Sequence, residues 1–145
     1  MNSNGWLSVY ILAPLFGWLA AHIVKFVVTF VSSGGRVKKL NIFFKAGGMP
    51  SSHSSVMIAT LTVIGVRQGV GSAVFGLAVA LTAIVMYDAI NVRRSVGEQG
   101  DALRKVAAHA NVDTRFFTAY GHTLAEVLGG VVVGLLTGWT LLQIL

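Results

Sequence analysis

The stretch VGSAVFGLAVALTAIVMYDAI, Val70–Ile90, decides the fold class, because it holds a single charged residue, Asp88, near its end. A helix needs about 20 apolar residues to cross a hydrocarbon core about 30 Å thick, and this stretch meets that length. Three further apolar stretches surround it: Trp6–Val31, Ser51–Val66 and His122–Leu145. The first carries Pro14, His22 and Lys25. It is too long for a signal-peptide core and no Lys or Arg precedes it, so it reads as retained rather than cleaved. The second is short, about 24 Å as a helix, and is expected to start below the headgroups or to sit partly inside the bundle. The fourth has Glu126 as its only acid.

Composition agrees with these spans. Of the 145 residues, 54% are hydrophobic and 11% charged, and mean hydropathy is +0.75. Soluble domains carry about 25% charged residues, so a soluble globule, a disordered chain and a coiled coil are excluded. The absence of cysteine excludes disulfides, thiolate metal sites and a cysteine nucleophile. The expectation is one integral membrane domain over residues 1–145. Its fold is all-α, a polytopic helical bundle of about four to five transmembrane helices.

The net charge is +6, and its distribution carries topology. Ser32–Pro50 holds Arg36, Lys38, Lys39 and Lys45, and Asn91–Gly121 holds Arg93, Arg94, Arg104, Lys105 and Arg115. Only Arg67–Gly69 links the second span to the third. Four crossings put both basic segments on one side, and the positive-inside rule makes that side cytoplasmic. The basic excess is thus read as a membrane signal rather than as a nucleic-acid interface, and the plasma (inner) membrane is the expected location. Within the second basic segment, Leu103, Val106, Ala107 and Ala110 give Asp101–Val112 the spacing of a short amphipathic helix. Gly130, Gly134 and Gly138 recur at four-residue steps, a spacing that lets helices approach closely. Packing within the chain is the favoured reading; a homodimer seam is the other.

Polar groups at membrane depth are costly and usually face a cavity or one another. Under this topology Lys25, His53, Asp88, His122 and Glu126 gather from four segments at one level on the cytoplasmic side. For Lys25 alone, snorkelling would be the ordinary reading. Asp88 is equally a helix-end partner for Arg93 or Arg94 and a direct participant in chemistry. His22 is expected to bond to a neighbouring helix, and His109 to be solvated at the interface. His122 and Glu126, four apart, are expected on one helical face, where the carboxylate fixes the imidazole tautomer for a nucleophile or base. In Gly47-Gly48-Met49-Pro50-Ser51-Ser52-His53-Ser54, Pro50 suits a first helical turn and the serines suit caps. The free N–H groups of such a helix start attract anions. A metal is disfavoured there because Lys25, Arg93 and Arg94 favour a polyanion. No cofactor is expected.

Pro50-Ser51-Ser52-His53 resembles the P-S-G-H motif of the type-2 phosphatidic acid phosphatase family, whose site is shared with vanadium haloperoxidases. His122-Thr123-Leu124-Ala125-Glu126 is similar to the end of that family's S-R-x5-H-x3-D motif, with Glu for Asp. With Tyr87-Asp88-Ala89-Ile90-Asn91-Val92-Arg93-Arg94, these strings look like a divergent membrane branch of the family. Neither the K-x6-R-P motif nor the Ser-Arg pair is present. Lys25 then stands for the motif lysine, with Arg36 or Lys45 as substitutes, and Arg93 or Arg94 supplies the guanidinium. The resemblance implies a metal-independent hydrolase of lipid phosphates or prenyl diphosphates. In it, Lys25, Arg93, Arg94, Ser51 and Ser52 bind phosphate, with Asp88 in support. His122, oriented by Glu126, attacks phosphorus; His53 protonates the leaving group; water activated by His122 or a neighbour completes hydrolysis. A second copy would supply any wall that so short a chain lacks. The competing reading is a lipid-phosphate-binding or anion- or lipid-transporting protein on the same fold.

Overall fold

A computed structural model describes residues 8–35, 48–112 and 120–145. They form α1 (Val9–Ser32), α2 (Ser52–Gln68), α3 (Ala73–Tyr87), α4 (Arg93–His109) and α5 (Leu124–Ile144). A π-helical turn, Asp88–Val92, joins α3 to α4. The described residues contain no strand. Three helical stretches are long and apolar enough to cross a membrane: Val9–Ser32, Ala73–His109 and Leu124–Ile144. The fourth, α2, has 17 residues, about 25 Å, and lies in the middle of the bundle against α1, α3 and α5. Arg36, Lys38, Lys39, Lys45 and Arg115 lie outside the described residues.

The contacts fix the directions. The Tyr10 hydroxyl is 2.6 Å from Nε2 of Gln68 at one end of the α1–α2 pair, and Lys25 stands beside Gly48 at the other; the two helices are antiparallel. Gly65 of α2 faces the Phe75 ring of α3, as a tight antiparallel hairpin requires. Gly69, at φ +83°, ends α2 in a conformation that costs glycine little, and Ser72 caps α3 by accepting from the Phe75 N–H. Helices α2 and α5 run parallel. A Cβ at Gly130, Gly134 or Gly138 would stand 2.4, 2.7 or 2.9 Å from the carbonyl oxygens of Ser51, Ser55 and Ala59. The four-residue glycine repeat is therefore the α2–α5 seam inside one chain, as favoured from the sequence. Gly17 lets α1 approach α2 from the other side, where an added Cβ would lie 3.0 Å from the Ser55 carbonyl. The Ser55 hydroxyl donates to the Gly17 carbonyl at 2.8 Å.

Burial follows from lipid as solvent. The buried residues are mostly small, among them Ala13, Ala21 and Ala59, whereas large side chains such as Leu77, Ile84, Leu136 and Trp139 are exposed. Lipid tails are as apolar as leucine, so close backbone packing rather than transfer of large side chains holds such a bundle.

Two local expectations change. The amphipathic segment does not begin at Asp101: α4 starts at Arg93, because α3 runs through the π turn into it. A helix propagating from an existing one has no nucleation cost, so Gly97 and Gly100 do not interrupt it. Pro50 lies one residue before the Ser51 cap of α2, not in the first turn.

Gly134→Val pushes Cβ atoms into the Ser55 carbonyl and the Ile58 side chain. Such overpacking costs about 1–3 kcal/mol and is expected to lower the Tm of the detergent-solubilised protein. Gly76→Ala, where an added Cβ meets nothing within 4 Å, is expected to leave the Tm unchanged or slightly raised.

Candidate functional site

The start of α5 builds the centre of the site. Thr123 is its N-cap, and Thr123-Leu124-Ala125-Glu126 is a capping box. The Thr123 hydroxyl accepts from the Glu126 N–H at 3.3 Å, and Glu126 Oε2 accepts from the Thr123 N–H at 3.0 Å. The same Oε2 lies 2.9 Å from Nδ1 of His122. A carboxylate only accepts, so Nδ1 carries the proton and the neutral ring keeps its lone pair on Nε2. His122 thus precedes the helix instead of sharing a face of it with Glu126. The pair meets because the capping box turns the carboxylate back toward the helix entry. The imidazole is buried.

Two backbone bonds anchor this corner. The His122 N–H donates to the Ala89 carbonyl, inside the π turn, at 2.9 Å, and the Ser51 N–H donates to the Glu126 carbonyl at 2.8 Å. Gly121 permits the first: a Cβ there would lie 2.4 Å from the Arg94 nitrogen and 2.7 Å from the Ala89 oxygen. The corner thereby joins α5 to the α3–α4 junction on one side and to the start of α2 on the other.

Helix α2 brings His53. It occupies the first turn, exposed, close enough to Arg93, His122, Lys25 and Asp88 for their charges to act on its imidazole. Lys25, on α1, is buried rather than snorkelled, and the charge of Glu126 acts on its ammonium. Asp88 and Arg93 form an ion pair through Oδ2 and Nε. In an α-helix, residues five apart point about 140° away from each other. The wider π turn brings them onto one side, so Asp88 is a helix partner of Arg93. Arg94 has its own partners. It pairs with Glu98 at 3.1 Å and lines a recess of about 230 Å³ with Glu98, Asp101, Tyr120 and His122.

Ser51 and Ser52 separate. The Ser51 side chain is wholly buried. Its oxygen accepts from the Ser54 N–H at 3.4 Å and from the Ser54 hydroxyl at 3.1 Å, so its contribution is the cap rather than contact with an anion. Ser52, the first residue of α2, is half-buried. His22 bonds through Nδ1 to the Trp18 carbonyl of its own helix at 2.9 Å. His109 is exposed, as expected. Among the described residues, no three His, Asp or Glu side chains stand together as a metal site.

His53, Lys25, Arg93 and the His122–Glu126 pair thus lie at one end of the bundle. Residues 7–137 match the profile described as the divergent PAP2 family. The chain belongs to the divergent PAP2 family. It is similar to YuiD, an uncharacterized membrane protein of Bacillus subtilis (strain 168), with 32% identity over 101 residues. That match covers 70% of this chain and 63% of the relative's length. No solved structure matches it significantly.

For this divergent PAP2 member, sequence reasoning passed over Gly121, Thr123 and the π turn. The T-x-x-E pattern at Thr123–Glu126 is itself a helix-start signature and would have placed His122 outside α5. The π turn leaves no comparable signature.

Thr123→Ala removes one half of the capping box and is expected to cost about 1 kcal/mol, read as a lowered Tm. Glu126→Ala removes the cap and the imidazole partner together. Nitrogen-15 NMR of His122 is expected to show the Nδ1–H tautomer in the wild type and in Thr123→Ala, and a tautomer mixture in Glu126→Ala. An unchanged spectrum in Glu126→Ala would separate the carboxylate from His122 orientation.

Proposed function

We propose that this protein is a metal-independent membrane phosphatase acting on lipid phosphates or prenyl diphosphates, with His122 as the nucleophile. The observation that carries this reading is the His122–Glu126 pair with its buried imidazole, set at the same end of the bundle as His53, Lys25 and Arg93. Phosphoryl transfer needs cations around the equatorial oxygens, an in-line nucleophile and an acid for the leaving group, and this set offers each.

Lys25, Arg93, Ser52 and the N–H groups at the start of α2 hold the phosphate, and Asp88 aims Arg93. Glu126 accepts a hydrogen bond from Nδ1–H of His122, which leaves the Nε2 lone pair to attack phosphorus. The phosphorus–oxygen bond to the lipid breaks as His53 gives its proton to the departing oxygen. Water then attacks the phosphohistidine, its proton passes to His53, and inorganic phosphate leaves with His122 restored. The basic segments flanking the second and third spans favour a site on the cytoplasmic side of the plasma membrane, which draws substrate headgroups from the inner leaflet.

The test is release of inorganic phosphate in mixed micelles without added metal. Phosphatidic acid, phosphatidylglycerophosphate and prenyl diphosphates form the substrate panel. Wild type is expected to release phosphate from at least one of them. His122→Asn is expected to abolish release, and His53→Ala to reduce it by roughly 10²–10⁴-fold. No release from folded protein, with phosphatidic acid binding retained in His122→Asn and lost in Lys25→Met, would assign a binding role instead.

A further inference from the structure

Helix α4 has its polar side toward the site and its apolar side away from it. Arg94, Glu98 and Asp101 line the recess beside His122. Tyr120 donates to Asp101 at 2.9 Å and accepts from Arg104 at 3.1 Å, on that same side. Val92, Val96, Leu103 and Val106 are 46–64% exposed. At 100° per residue, these four fall within about 80° of one another around the helix, opposite the polar groups. A helix resting on a water-soluble core has the reverse arrangement.

The stripe continues a surface that already faces lipid. On α3 the exposed residues Val74, Leu77, Leu81 and Ile84 recur in steps of three and four. From Ile84 two further turns, across the π turn, lead to Val92 and on to Val96. The rod Ala73–His109 is one unbroken helical stretch, so the apolar row leaves the membrane span without interruption. The rest of the α4 circumference carries Arg93, Arg94, Arg104 and Lys105 against Glu98 and Asp101. This basic excess complements anionic headgroups.

We infer that α4 is a membrane-surface helix. Its Val92–Val96–Leu103–Val106 stripe sits in the acyl boundary of an anionic leaflet and holds the recess beside His122 at headgroup depth. Such helices bind through buried apolar area together with attraction to anionic lipid. The inference stands apart from any catalytic activity, since it rests on the exposed row and its continuity with α3.

The chain has no cysteine, so single substitutions take one label each. Val96→Cys, Leu103→Cys and Val106→Cys are labelled with a nitroxide, with Lys105→Cys and Ala108→Cys on the polar side as controls. Gln99→Cys and Ala110→Cys sample the apolar side without removing a large side chain, should the valine and leucine variants lose their melting transition. The protein is reconstituted in vesicles of phosphatidylethanolamine and phosphatidylglycerol. Collision rates with oxygen and with a water-soluble nickel chelate are then measured by electron paramagnetic resonance. The oxygen-to-nickel ratio is expected to be several-fold higher on the apolar side than at the controls. Equal ratios on both sides, showing a stripe in water, would overturn the inference. Spin–spin broadening confined to the apolar positions would also overturn it, because a second copy would then cover the stripe.

Discussion

The carboxylate of Glu126 is the point on which the rest of the site depends. One oxygen accepts from both the Thr123 N–H and His122. The same residue's carbonyl accepts from Ser51, the residue that caps α2. A helix entry leaves backbone donors that need acceptors, and in a bilayer an unmet donor costs several kcal/mol. Glu126 meets that need and orients an imidazole with the same atom. Helix capping and site construction are thus one event: the corner that lets α5 begin also gives His122 its tautomer. This explains why a Glu serves where the related motif has Asp. Its longer side chain reaches back from the third position of the helix to the cap residue and to the ring before it.

The corner converges only because α2 lies so close to α1 and α5. Gly17, Gly130, Gly134 and Gly138 remove the Cβ atoms that would otherwise meet the α2 carbonyls. Close approach brings the first turn of α2 beside Glu126, with His53 two residues beyond its cap and Lys25 on the adjoining wall. The large apolar residues contribute elsewhere, facing lipid, so the bundle is specified by where side chains are small.

Much of this was legible in the sequence. The apolar runs place the helices, the glycine steps predict the seam, and the spacing of His122 and Glu126 predicts their contact. What misled was the mechanism of contact: the pair was read as two positions on a helical face, while the Thr123 cap puts His122 outside the helix. The same local chemistry separates Ser51 from Ser52, because a cap residue turns its oxygen inward. The π turn was not legible at all. Asp88-Ala89-Ile90-Asn91-Val92 has no composition that sets it apart from an α-helical turn. Its wider winding follows from neighbours distant in sequence, among them the His122 N–H that bonds to the Ala89 carbonyl. The start of α4 was not legible either: the amphipathic spacing marks only Asp101–Val112, but a helix already under way continues where a new one would not start.

The π turn also bears on the arginine that the family's third motif would supply and that this chain lacks. A guanidinium useful to a phosphate must be aimed as well as present, since its value lies in a fixed fork of donors. Arg93 sits at the far side of the π turn from Asp88, and the turn's geometry is what makes the two meet. A regular α-helical turn would point Arg93 away from its carboxylate partner. Under the proposed reaction, then, the guanidinium comes from the α3–α4 junction instead of the approach to α5. The Ala89 carbonyl of that junction in turn holds His122 in place. His122 and Arg93 are therefore both positioned by one distortion of one helix, and a change that relaxed the turn would displace both together.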